Sequence, residues 1–209
     1  MEETTINKLN IGYMTSSKFP ERDSRTHDML SNAKLQFSRY DGGVTTPYTI
    51  GVAKGHLAAL KDQYLPCLLL EDDVRVVPDS HGLPRDLDPE FPFHVPEGAD
   101  AIYLGTSLYG RLHSRSVYQG VIATETNTND LLSVYNMLSM HAIVYLTQRY
   151  KDHTIELLKS HIASPSGGVD DPIADAMGKF NVYALRTPYL YQHDGHSDVA
   201  TTTPLPIKI

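Results

Sequence analysis

The sequence predicts an α/β domain with a mostly parallel central sheet flanked by helices. Two observations lead there. The run Cys67-Leu68-Leu69-Leu70 has the unbroken hydrophobicity of a strand covered on both faces. Around it, short apolar runs alternate with stretches whose apolar residues recur at helical spacing. A length of 209 residues suits one domain, placed at 9–199 between a flexible N-terminus (1–8) and a C-terminal tail (200–209).

The elements follow in order. Asn10 to Met14 reads as a first strand that ends in Thr15-Ser16-Ser17. Met29, Leu30, Ala33 and Phe37 mark one face of a helix within 23–37, with Asp23 or Ser24 placed to cap it. Tyr40 to Pro47, containing Asp41-Gly42-Gly43, is rich in turn formers. Ala53, Leu57, Leu60 and Tyr64 define a second helix, stopped by Pro66. The Cys67 strand then runs directly into Glu71-Asp72-Asp73 and on to Val77. Residues 78–97 contain five prolines and read as a surface excursion. Ala101 to Gly105 and Ala142 to Leu146 are further buried strands, and Val182 to Leu185 a late one. Tyr150, Thr154, Leu157, Leu158 and His161 form one helical face.

Composition narrows the function. Hydrophobic residues at 41 % and charged residues at 21 % exclude wholesale disorder. No apolar run reaches the ~18 residues of a membrane helix, and Met1 to Lys8 lacks the basic start and apolar stretch of a signal peptide. The single Cys67 rules out an intrachain disulfide and an all-cysteine zinc site, which points to a reducing, cytoplasmic setting. A net charge of −7 lacks the basic excess that neutralises nucleic-acid phosphates, although Arg111, His113 and Arg115 offer a local basic loop.

Three consecutive acids at a strand exit repel one another, and a hard divalent cation, Mn²⁺ or Mg²⁺, relieves that repulsion best. Carboxyl ends of strands also form the ligand crevice of open α/β sheets. The alternative is a solvated acidic turn without chemistry. In Val169-Asp170-Asp171-Pro172, Pro172 suits the first helical position and Asp171 the cap before it. Asp170 has no such structural task and is the better general base. Tyr191 to Asp198 gathers His193 and His196 with two carboxylates, a pattern suited to a metal or phosphate contact. Lys18, Arg22 and Arg25 follow the first strand, where they can hold phosphates or simply decorate a helix start. His56 reads equally as a satisfied surface histidine.

Several segments, in order, resemble glycosyltransferase family 25, which groups lipopolysaccharide sugar transferases with collagen galactosyltransferases. These are Gly51-Val52-Ala53-Lys54-Gly55-His56-Leu57-Ala58-Ala59-Leu60, Leu68 to Val74 with its acidic triplet, Asp100 to Gly105, Met140 to Tyr145, and Val169-Asp170. Arg25 followed by Met29 resembles the family's arginine-containing segment. The resemblance implies a GT-A-type domain that takes a nucleotide-sugar donor, with UDP-sugar as first choice, and transfers the sugar to a glycan or other hydroxyl acceptor by inversion. It implies a divalent metal on Asp73 with Glu71 or Asp72, to which the residue pattern adds His193 and His196 as further candidates. Donor contacts then fall to Arg25, Lys54, His56, Glu71 and Asp72, and catalysis to Asp170 and Asp171. The stretches after Pro78 and between Gly110 and Asn129 match nothing diagnostic. Rival readings are a transferase acting on hydroxylated bases in viral DNA, a sugar-binding module without turnover, and a metal-dependent phosphohydrolase.

Overall fold

The computed structural model describes residues 2–107, 109–110, 119–193 and 200–201. The first half contains β1 (Glu2–Thr5), β2 (Asn10–Thr15), α1 (Pro20–Asn32), β3 (Phe37–Asp41), α2 (Tyr48–Asp62), β4 (Cys67–Glu71), β5 (Val74–Val76) and β6 (Pro92–Val95). The middle holds β7 (Ala101–Tyr103), β8 (Thr106–Ser107), β9 (Tyr109–Gly110), β10 (Gln119–Gly120), β11 (Ile122–Glu125), β12 (Leu131–Tyr135) and β13 (Ala142–Tyr145). The chain closes with α3 (Gln148–Ala163), α4 (Asp171–Ala176), β14 (Val182–Leu185), β15 (Leu190–Gln192) and β16 (Ala200–Thr201).

Eight strands form the central sheet in the order β11-β12-β14-β7-β13-β4-β2-β3. The β3-β2-β4 half is parallel, as is the pair β14-β7, while β13 runs antiparallel to both of its neighbours. The α/β class therefore holds, with a sheet that mixes both directions. β11 and β12 add an antiparallel edge that the sequence reading did not identify. Residues 2–5, expected in a flexible terminus, pair instead with β6.

Two apolar layers sandwich the sheet. Strand alternation sends Leu68 and Leu70 of β4 to one layer with Leu30 of α1, and Cys67 and Leu69 to the other with Ala59 and Leu60 of α2. The connections β2-α1-β3 and β3-α2-β4 thus cover opposite faces, the winding that opens a crevice at the carboxyl ends of β2 and β4.

The helices begin earlier than the apolar spacing suggests. In α1, Pro20 occupies the first turn after Phe19, so Asp23 is not a cap. Asp23 lies inside the helix, where its carboxylate accepts from Tyr13 Oη at 2.7 Å and from Arg39 in a bidentate pair. Phe37, assigned to the helix by spacing, opens β3. Tyr64 lies beyond α2 and is exposed, because Pro66 belongs to the entry of β4 rather than to the helix end.

Candidate functional site

A cleft of about 450 Å³, its solvent-open mouth included, lies at the carboxyl ends of β2 and β4. Its apolar and aromatic lining comes from Phe19, Tyr48 and Val52. Its charged lining comes from Arg22, Glu71, Asp72 and Asp73. Glycines make the approach of walls possible. Gly42 lies so close to α2 that a Cβ on it would come within 2.1 Å of the Gly51 carbonyl oxygen. Gly43 beside it has φ +72°, a left-handed conformation that glycine adopts without strain.

The pleat of β4 separates the acids. Glu71 continues the Cys67-Leu69 side toward α2, where its Oε1 lies 3.0 Å from His56 Nε2. Burial pushes the Glu71 pKa up, but the His56 hydrogen bond and the charges of His56, His141 and Arg22 outweigh it and leave it below the ordinary value. Asp72 turns toward α1. Its Oδ2 accepts from Thr15 Oγ1 at 2.9 Å, and its carbonyl accepts from Thr26 Oγ1 at 2.7 Å. Burial raises its pKa against the pull of the Thr15 hydroxyl, Arg22 and the Ser16 amide.

Asp73 sits between. Its Oδ2 accepts from Gln192 Nε2 at 2.9 Å and lies 3.2 Å from Arg22 Nη2. Its Oδ1 is buried and has no hydrogen-bond partner among the described residues. Burial, then the adjacent Glu71 carboxylate, push the Asp73 pKa up to about 7.

On the α2 side of the sheet, His141 precedes β13 directly across from Glu71, whose amide donates to the His141 carbonyl at 3.0 Å. The imidazole is 2 % exposed, with Nδ1 3.0 Å from Ser139 Oγ and Nε2 unpartnered among the described residues. Burial drives its pKa down to about 4. The ring fills the space a side chain at Gly105 would need, since a Cβ there would lie 2.1 Å from Nε2.

Asp170 joins this face. Its pKa is pushed up to about 6, by burial first and then by the carboxylates of Asp171 and Glu71, while His56 acts in the opposite sense. Glu71 and His56 are thus near enough for their charges to act on it. Asp170 and not Asp171 takes the position before α4, but its side chain makes no cap. Asp171 is the first helical residue, and its Oδ2 accepts from the Gly168 amide at 3.1 Å. The expected cap at Asp171 is therefore displaced by one residue, because the carboxylate reaches back to the Gly167-Gly168 turn.

The other expected residues divide. His56, Glu71, Asp72 and Asp73 all line the cleft. Arg22 lines it too, whereas Arg25 lines a second groove on the outer side of α1. Lys54 is exposed and does not line the cleft, because Gly51, Val52, Gly55 and His56 occupy the inward side of α2. His193 binds Asp73 through its backbone, donating N–H to the Asp73 carbonyl at 2.9 Å, while its exposed ring sits 3.2 Å from Tyr191 Oη in the second groove. His196, Arg111, His113 and Arg115 lie outside the described residues.

Among the described residues, no three His, Cys, Asp or Glu side chains form a ready-made metal centre. A catalytic divalent ion of the Mg²⁺ type asks for less: one or two carboxylates, with substrate phosphates and water completing its shell. The unpartnered Oδ1 of Asp73 fits that mode.

Fold and site together define an α/β protein with an acidic cleft at the carboxyl edge of a doubly wound sheet. No family model matches the chain, and no curated protein does. Among solved structures, the CTP:phosphocholine cytidylyltransferase from Streptococcus pneumoniae (LicC) aligns over 90 % of this chain and 74 % of its own, with 8 % identity and a TM-score of 0.41. A likeness of that degree carries no argument about chemistry.

Proposed function

We propose that this chain is a divalent-metal-dependent glycosyltransferase that uses a nucleoside diphosphate sugar, with UDP-sugars as the first choice. One observation supports this most: a single cleft sets aromatic surface (Phe19, Tyr48) beside a charged group where Arg22 meets Asp72 and Asp73. Such a cleft suits a ligand that carries both a flat ring and a polyanion. Tyr48 is 55 % exposed, an apolar surface that stacking of a base would cover. Arg22 presents a planar guanidinium, which suits phosphate oxygens.

Transfer requires two things of these residues. The departing nucleoside diphosphate gains negative charge, which Arg22 offsets from α1. A metal held by Asp73 would supply Lewis-acid stabilisation of the same charge. The acceptor hydroxyl must lose its proton, and Asp170 receives it; a pKa near 6 keeps that carboxylate ionised yet basic near neutral pH. The Glu71–His56 pair lines the cleft and its charges act on Asp170, which, like His141, is not itself part of the cleft lining.

The test is calorimetry with UDP, with and without Mn²⁺, followed by a screen of nucleotide sugars for metal-dependent hydrolysis. Binding of UDP that strengthens with Mn²⁺ supports the reading. Binding indifferent to Mn²⁺, or none, rejects it.

A further inference from the structure

Arg22 occupies an unusual place: it is the counter-ion of the very carboxylates that a cation would need. Its Nη1 lies 3.6 Å from Asp72 Oδ1 and its Nη2 lies 3.2 Å from Asp73 Oδ2. The side chain is only 14 % exposed. Its guanidinium carbon lies 4.7 Å from the centre of the Phe19 ring, which supports the plane from the cleft wall. A divalent cation on Asp73 would meet this guanidinium at short range, like charge against like. Either the arginine withdraws, or an anion enters between them.

We propose that Arg22 is an exchangeable counter-ion, which neutralises Asp72 and Asp73 in the empty cleft and transfers to the diphosphate when a divalent cation takes Asp73. The inference rests on the donor reading above and adds the order of events. The cation alone binds weakly, because it meets the like charge of the guanidinium across the same carboxylate with nothing to offset it. The cation with a nucleoside diphosphate binds well, because the phosphates offer Arg22 a new planar partner at the moment it loses the old one. Metal and nucleotide thus bind with positive coupling, and Arg22 carries that coupling. The residue starts from the first turns of α1, beside Phe19, and the space in front of it is the cleft itself. Asp72 stays behind with other partners, held by Thr15, Ser16 and Thr26.

The experiment uses the full chain and measures Mn²⁺ binding by electron paramagnetic resonance, alone and with UDP. For Arg22→Met the expected result is at least tenfold tighter Mn²⁺ binding without nucleotide, and at least tenfold weaker UDP binding in saturating Mn²⁺. The control Lys159→Met removes one positive charge from an exposed position on α3 and should change neither by more than about twofold. In case Arg22→Met does not fold, the wild-type chain supplies a second measurement, the Arg22 Nε–H resonance. It should move with Mg²⁺ plus UDP and stay in place with the same Mg²⁺ alone. If wild-type chain binds Mn²⁺ and UDP together but Arg22→Met binds Mn²⁺ no tighter, the exchange is wrong and the transferase reading stands. A resonance that moves fully with Mg²⁺ alone overturns the exchange in the same way. If wild-type chain binds no UDP with Mn²⁺, both fall.

Discussion

His141 gives the fold a dependence on pH that can be worked out in advance. Its ring is buried, with one nitrogen on Ser139 and the other unpartnered, and its pKa falls from 6.5 to about 4. The native state therefore keeps the imidazole neutral, while an unfolded chain protonates it near pH 6.5. A depressed folded pKa means that its stability contribution is intact above pH 6.5 and is lost as pH falls toward 4. The linkage relation gives a loss of about 2 kcal/mol between pH 7.5 and 5, and about 3 kcal/mol by pH 4. Asp72, Asp73 and Asp170 work in the opposite sense. Their folded pKa values are raised, so their contribution is present at low pH and lost as pH rises. The wild-type curve alone thus mixes two signs. His141→Asn separates them, because the amide can still meet Ser139 but does not titrate. Urea melts of both chains at pH 7.5, 6 and 5 should show the stability difference shifting by about 2 kcal/mol in favour of the variant at pH 5. Parallel curves, within about 0.5 kcal/mol over that range, would mean that the ring is not held neutral and the reasoning fails.

Other expectations follow from the same geometry. Gly105→Ala drives a methyl into His141 Nε2 and toward the Leu190 carbonyl, and should lower stability by on the order of 2–3 kcal/mol in the same melts. Tyr48→Ala should raise the Kd for UDP about tenfold, roughly 1.4 kcal/mol, and leave Tm nearly unchanged, since the ring is half exposed; an unaltered Kd removes the base from that ring. Asp170→Asn should retain UDP affinity but cut transfer about a hundredfold or more in a product assay. Asp171→Ala should do the reverse, keeping transfer while losing about 1 kcal/mol of stability through the Gly168 amide.

The parts legible in the sequence were those set by local pattern. Cys67 to Leu70 read as a buried strand because burial on both faces leaves no polar alternation, and Glu71 to Asp73 read as a site because acids rarely end such a strand without a partner. The partners themselves carried no local mark. Gln192 reaches Asp73 across 119 positions of sequence, and Arg22 differs from Arg25 only in the side of α1 it occupies. His141 leaves only a faint signal, a polar residue at the mouth of an apolar strand. Phe19 and Tyr48 stand beside Pro20 and Pro47, at helix starts that lie ahead of the first residues of the apolar spacing. β11 and β12 escaped because Ile122–Glu125 and Leu131–Tyr135 are short edge strands whose pairing is decided by tertiary contacts.

The division of the acidic triplet by the pleat of β4 has a consequence for how this chain can change over time. Neighbouring codons here serve opposite sides of a wall: Glu71 answers to α2, Asp72 to α1. Point substitutions can therefore retune one side while the other is left as it was. Insertions or deletions cannot, for a shift of one residue within Cys67–Glu71 would present every side chain to the wrong layer and exchange the two acids at once. The strand should tolerate drift in identity and refuse drift in length.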